Sequence, residues 1–196
     1  MFTRTTTQIL DSLRDEADDG LWQLFDDRYR PVIIAFARRQ GLSEEDSADV
    51  AQTTLAQFTA DFRAGRYDRT RGRLSSWIIG IARNRIADVG RARARRGVQR
   101  GESALIDISE EDAGAHWAEA RQRIILDRAM QMLRSQTNLD ERTIAAFDLC
   151  ALRRVPPEAA AAQCGMTVAE VYVAKNRAIK KLREIVAQMT QEFDDE

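Results

Sequence analysis

Cysteine and histidine are nearly missing from this chain, with 2 Cys and 1 His in 196 residues. Cys150, Cys164 and His116 are scattered and show no C-x-x-C spacing, whereas a structural zinc site takes four such ligands. No metal and no other cofactor is expected, and the two thiols read as reduced, buried side chains of a cytosolic protein. Proline and glycine are also few, at 3 and 10, which excludes a disordered chain and a turn-rich all-β fold. A glycine-rich phosphate loop, a cluster of metal ligands and a histidine beside a nucleophile are all lacking, so the chain is not expected to be an enzyme. No apolar run approaches a membrane span, and the opening residues, MFTRTTTQILDSLRDEADD, lack the apolar core of a signal peptide. A cytoplasmic protein is expected. Excess charge of one sign is lacking too. The net charge is -1, so any contact with a polyanion must come from local patches rather than bulk charge.

What is present is 44% hydrophobic and 31% charged, a globular balance, in a length that holds one large domain or two small ones. Acidic residues cluster at 15–19, 44–49, 102–112 and 192–196. Arginines gather in the segment GRLSSWIIGIARNRIADVGRARARR, residues 72–96. There Leu74, Trp77, Ile78, Ile81, Ala82 and Val89 recur at the three-or-four spacing of a helix face that docks on a core. Trp77 is accordingly read as a core residue in preference to a base-stacking one. From Arg83 to Arg100 the arginines are interrupted by a single acid, Asp88. A helix anchored by one face and basic at its exposed end suits a polyanion. The plainer reading is a solvated helix end, where arginines complement the C-terminal dipole.

The pattern predicts an all-α protein. Residues 8–13 suit a short lead-in helix. Residues 21–39 place Leu24, Phe25, Tyr29, Val32, Ile33 and Phe36 in one stripe, with Pro31 inside as an expected kink. Ser43 caps the next helix, 44–62, with Asp46 in the capping-box position. Ala51, Leu55, Phe58 and Phe62 line one face of that helix, and Asp49, Gln52, Thr53 and Ala56 the other. A loop at 63–73 follows, carrying Arg63, Arg66, Tyr67, Arg69 and Arg71. Residues 97–115 lose periodicity and gain Gly, Glu and Asp, which reads as a flexible acidic linker. Helices resume at about 117–133, 139–153, 157–164 and 168–188.

The segment PPEAAAAQCGMTVAEVYVAKNRAIKKLREI, residues 156–185, has the form of a helix-turn-helix. Gly165 suits a left-handed helix exit and Thr167 the cap of the next helix. Ala161 is small where two helices cross. The expected packed stripe of the second helix is Val168, Val171, Tyr172, Ile179, Leu182 and Val186. The opposite face carries Glu170, Val173, Arg177 and Lys180, beside Ala169, Ala174 and Asn176. An ordinary helical hairpin is the plainer alternative.

Together these segments resemble a bacterial sigma factor of the extracytoplasmic-function (ECF) class, which keeps regions two and four of the larger sigma factors. GLSEEDSADVAQTTLAQF is similar to the core-binding part of region two, and YDRTRGRLSSWIIGIARNRIADVGRARARR to its promoter-melting and promoter-reading part. GMTVAEVYVAKNRAIKKLRE is similar to the region-four recognition helix. The resemblance spans about 21–96 and 125–185. It implies a region-two helical bundle at 1–96, a linker at 97–115 and a region-four helix-turn-helix at 116–196. It also implies that Asp49, Gln52, Thr53 and Ala56 meet the clamp helices of core RNA polymerase. Asn84, with Arg83, Asp88, Arg91 and Arg95, would touch the downstream promoter element. Arg63, Arg66, Arg69 and Arg71 lie in the loop where such factors capture a flipped base of the non-template strand. In region four the candidate DNA contacts are Thr167, Glu170, Val173, Ala174, Lys175, Arg177, Lys180 and Lys181. Glu170 would accept from cytosine and Arg177 donate to guanine, Lys175 would snorkel to phosphate, and Lys180 and Lys181 would hold phosphates.

Two features depart from the family pattern. RRVPPE precedes the helix-turn-helix where a glycine and a Ser or Thr cap are more frequent, and Ala174 stands where an Arg is frequent. The implied partners are core RNA polymerase, promoter DNA and, in some such factors, an anti-sigma factor; the protein itself is expected to be a monomer. A stand-alone helix-turn-helix regulator with an N-terminal sensing domain is a second reading, but it leaves the basic loop and the 49–52 face without a role. A helical interaction protein that holds an anti-sigma factor is a third.

Overall fold

Every regular element among the described residues is a helix, as the patterning predicts, and no β-strand occurs among them. The computed structural model describes residues 6–12, 19–68, 70, 72–95 and 109–194. In chain order the helices are α1 (Thr6–Ser12), α2 (Asp19–Arg39), α3 (Glu44–Arg63), α4 (Leu74–Arg95), α5 (Glu110–Ser135), α6 (Glu141–Phe147), α7 (Pro157–Cys164) and α8 (Val168–Asp194). The chain divides into two compact units. One comprises residues up to Ile124 with Glu192–Glu196, and the other Ile125–Gln191.

The first unit is built on α2, α3 and α4. The stripe read on α2 is buried at Phe25, Tyr29, Val32, Ile33 and Phe36, and the helix runs on through Pro31. On α3 the buried face is Val50, Ala51, Leu55, Phe58 and Phe62. On α4 it is Leu74, Ile78, Ile81, Ala82 and Ile86, while Trp77 and Val89 are only half-buried. Phe58 is the meeting point. Its ring stacks on Phe25 at 4.7 Å, meets Phe62 at 5.7 Å and takes Trp77 edge-on at 5.6 Å. One side chain of α3 thereby ties α2 and α4 together.

Ser43 starts α3 by accepting a hydrogen bond from the Asp46 amide at 3.2 Å. The Asp46 carboxylate accepts from the Ser43 hydroxyl and also holds Arg93 of α4. Arg28 is a feature the patterning does not reveal. It is only 2% exposed, yet it is compensated on every side. It donates to Thr6 Oγ1 and to the Glu192 carbonyl, both at 2.9 Å, and the Glu192 carboxylate lies 3.5 Å away. A buried guanidinium persists only when paired and hydrogen-bonded in this way.

The helix α5 begins at Glu110, inside the stretch expected to be linker; residues 97–108 of that stretch lie outside the described residues. Ser109 caps it by accepting from the Asp112 amide at 3.1 Å. Ala113 and Trp117 are buried in the first unit, with the Trp117 ring edge-on to Phe36 at 5.8 Å. The run of acids and Gly114 dilute the helical period there, which is why periodicity alone misses the start.

In the second unit Asp140 caps α6 by accepting from the Thr143 amide at 2.7 Å. A turn of π-helix, Asp148–Leu152, then carries the chain out of α6. Arg154 takes the left-handed conformation at φ 56°, in the RRVPPE segment where a glycine would be more usual. Pro156 is extended, at ψ 142°, ahead of Pro157, which opens α7 at a position where a missing amide costs nothing. Beside the large buried side chains Ile125, Leu133, Phe147, Ile185 and Met189, part of the core is made of small ones. Ala146, Ala160, Ala161, Val171 and Ala174 form one buried cluster, with the free thiols Cys150 and Cys164 half-buried against it.

Replacing Phe58 by alanine removes the ring that α2 and α4 share. Phe58→Ala is expected to destabilise the first unit by about 3–5 kcal/mol, read as a lower denaturant midpoint at unchanged slope in equilibrium unfolding.

Candidate nucleic-acid interface

Asp49, Gln52, Thr53 and Ala56 are all exposed, together, on the outer face of α3. Gln52 and Ala56 also border a groove of about 360 Å³ that α2 lines with Trp22, Asp26 and Arg30. The face opposite is the buried one, so the helix divides as its pattern predicts.

The loop between α3 and α4 is held by a polar relay. Arg85 of α4 donates to Gln57 Oε1 at 3.1 Å, and Gln57 Nε2 donates to Asp61 at 2.8 Å. Arg66 donates to the same Asp61 oxygen at 2.6 Å, and its amide donates to the Asp61 carbonyl at 3.0 Å. Asp61 is 8% exposed. Gly65, at φ 69°, supplies the left-handed step that lets the chain leave α3 at this point. Beyond it Tyr67 stacks on Trp77 at 5.0 Å and 12°. Arg66, Tyr67, Asp68, Gly72, Arg73, Ser76 and Trp77 line a concavity of about 340 Å³. Trp77 was expected in the core and is instead at its margin, one ring edge on Phe58 and the flank toward this concavity. The reason is angular: it sits at the border of the Leu74–Ile78–Ile81 stripe, about 40° of helix rotation outside its nearest member, Ile81. Arg63 lies at the end of α3 with its guanidinium 5.1 Å from the Trp22 ring centre. Arg69 and Arg71 lie outside the described residues.

Along α4, Asn84, Asp88, Arg91 and Arg95 are exposed in one stripe at i, i+4, i+7 and i+11. Arg83 beside them is half-buried. Asp88 is engaged with its neighbours, accepting from Arg91 at 2.5 Å and from Arg85 at 3.5 Å. Its role in this state is to order arginines.

In the second unit, Gly165 leaves α7 in the left-handed conformation, φ 60° and ψ 43°. Arg142 of α6 donates to the carbonyls of Cys164 and Gly165 and so fixes the turn from outside. Thr167 and Glu170 form a reciprocal capping box. The Glu170 amide donates to Thr167 Oγ1 at 3.3 Å, and the Glu170 carboxylate accepts from the Thr167 amide at 2.6 Å and hydroxyl at 2.9 Å. Glu170, read above as a base contact, thus has its carboxylate engaged by the cap.

The packed face of α8 is Val171, Ala174, Ala178, Ile185 and Met189. That is rotated by about a quarter turn from the expected stripe. Ala174, expected to read a base, is 5% exposed and belongs to the buried cluster; Tyr172, expected to pack, is 47% exposed. The cause is size. Ala160 and Ala161 of α7 share one buried cluster with Val171 and Ala174 of α8, where small side chains fit, and the bulky Tyr172 lies outside it. Lys175 is half-buried with its ammonium 5.4 Å from the Tyr172 ring centre. Thr167, Glu170, Val173, Arg177, Lys180 and Lys181 are exposed, and so is Asn176, which lies at the centre of the outward face.

Hydrogen bonds from the Thr167 amide and hydroxyl, with the Arg142 charge, hold the Glu170 carboxyl below its usual range. Those from the Thr143 amide and hydroxyl, with Arg177, do the same for Asp140. A carboxyl depressed in the folded state stabilises above its unfolded value, about 4, and that contribution fades as pH falls through the folded value. Thermal unfolding followed from pH 6 to 3 is therefore expected to show the midpoint falling on acidification. Asp140→Asn with Glu170→Gln, which keep the caps without the titration, should flatten that fall.

Residues 25–96 match the family model Sigma-70 region 2. The second unit lies outside the matched residues. No curated protein and no solved structure matches the chain. The matched stretch runs from Phe25 through the whole of α3 and α4, and so takes in the exposed α3 face, the concavity of the loop and the arginine stripe just described. Over residues 25–96, which fall in α2, α3, α4 and the loops between them, the chain is thus similar to Sigma-70 region 2.

Proposed function

We propose that the chain is an ECF-type sigma factor that binds core RNA polymerase and directs it to a particular class of promoters. The observation that carries this reading is the pairing of a region 2 domain with a second unit that ends in a capped, basic, outward-facing helix. The chain acts stoichiometrically, as a binding protein rather than an enzyme. Functionally it divides into residues 1–96, which meet polymerase and the downstream element, a connecting stretch 97–115, and residues 116–196, which meet the upstream element.

On this reading Asp49, Gln52, Thr53 and Ala56 of α3 contact the clamp helices of the polymerase. Asn84, with Arg83, Arg91 and Arg95, contacts the downstream element as it opens. The concavity beside the stacked Tyr67–Trp77 pair takes an unstacked base, because exposed aromatic surface next to Arg66 and Arg73 combines stacking with phosphate attraction. In α8, Arg177, Lys180 and Lys181 supply charge toward duplex DNA, and Thr167 sits at its leading end. The protein works as a monomer in the cytoplasm, where its polymerase is, and an anti-sigma factor is a further partner compatible with the exposed α3 face.

The test is run-off transcription with purified core polymerase, with and without the chain, on a promoter library. Start sites that depend on the chain support the reading; a protein that shifts duplex DNA alone and never associates with core overturns it in favour of a stand-alone regulator. With a responsive promoter in hand, Trp77→Ala is expected to lower open-complex formation by about 5- to 100-fold, from one lost stacking contact, while leaving core binding intact. Asp61→Asn, which loosens Arg66 and Gln57, is expected to lower it less.

A further inference from the structure

We propose that α8 reads an upstream element containing A·T pairs, with Val173 against a thymine methyl and Asn176 bonded to an adenine. The inference rests on the sigma-factor reading and specifies which side chains choose the sequence. Its basis is the rotation of α8 imposed by the alanine contact with α7. That rotation buries Ala174, and the capping box engages the carboxylate of Glu170. Two of the residues read from the sequence as base contacts are thereby withdrawn.

What the same rotation presents is a stripe of Ala169, Val173, Asn176 and Lys180, spaced i, i+4, i+7 and i+11 and exposed throughout. Val173 is 67% exposed, the most open of the large apolar side chains among the described residues. An isolated valine there gains nothing for folding. Against DNA it has a specific counterpart, because the thymine C5-methyl is the one apolar group on the major-groove edge. Asn176 stands one turn further along and carries the donor and acceptor pair that matches adenine N7 and N6. Ala169 is small enough to let the leading end of the helix approach the groove closely. Basic residues flank the stripe at Arg177, Lys180, Lys181 and Arg183, so the occupant that fits by charge is a phosphate-lined groove. A recognition helix uses its first turns for bases and later ones for phosphates, and the chemistry runs in that order here.

The experiment uses the holoenzyme formed from the chain and core polymerase on a promoter it selects. Each thymine of the upstream element is replaced in turn by deoxyuridine, which removes only the methyl. Each adenine is replaced by 7-deazaadenine, which removes only the N7 acceptor. One deoxyuridine position is expected to lower open-complex formation by about 2- to 5-fold with the native chain and to have no effect with Val173→Ala. One 7-deazaadenine position is expected to lower it by about 5-fold or more with the native chain, and not with Asn176→Ala. Both variants sit on the exposed face, and the base substitutions act on the native protein, so a folding defect cannot imitate the result. Losses that persist unchanged in the variants, or no sensitive position at all, overturn the proposal. Failure of the holoenzyme to give any chain-dependent start site overturns the sigma-factor reading itself, a different outcome from a promoter-specific holoenzyme blind to these atoms.

Discussion

The stacking of Phe58 on Phe25 is the contact on which the first unit depends. Ring burial of this kind supplies more of the folding free energy per residue than any other side chain, and here one ring serves three helices. Its edge-on contact with Trp77 extends the aromatic order outward, through the Trp77–Tyr67 stack, to the rim of the concavity. The geometry of a surface site is therefore set from the core.

The second unit solves the opposite problem. Beside Leu133, Phe147 and Ile185, its core holds a cluster of four alanines and one valine where α6, α7 and α8 meet. Small side chains permit short interhelical distance, and short distance then dictates which face of α8 turns inward. The same choice decides which residues are left outside to meet a ligand. Ala160, Ala161 and Ala174 belong to the one buried cluster that fixes this choice.

Charge is spent locally throughout. Several basic side chains have an acid at hand: Arg93 has Asp46, Arg66 has Asp61, Arg91 and Arg85 share Asp88, and buried Arg28 has Glu192. Exposed pairs of this kind add little stability. Their effect is to order long side chains.

Much of this was legible in the residues. The stripes of α2 and α3, the Ser43 cap, the Gly165 exit and the division of α3 into packed and open faces all follow from periodicity and from the few residues that tolerate turns or free amides. These are local properties, determined over one or two helical turns. Misreadings arose where a neighbour decided the matter. Tyr172 looks like a core residue and Ala174 like a surface one until the alanines of α7 are set against them. Trp77 shares the spacing of its stripe yet lies at its edge, where Tyr67 from the loop covers it. Arg28 has the sequence look of a solvated residue and is buried because Thr6 and Glu192, far away along the chain, supply its partners. The sequence by itself determined the all-helical class, the order of the elements and where the basic chemistry lies. Only the tertiary structure decided which side chains face outward, because burial depends on the size and polarity of whatever packs opposite, and that information lies in another part of the chain.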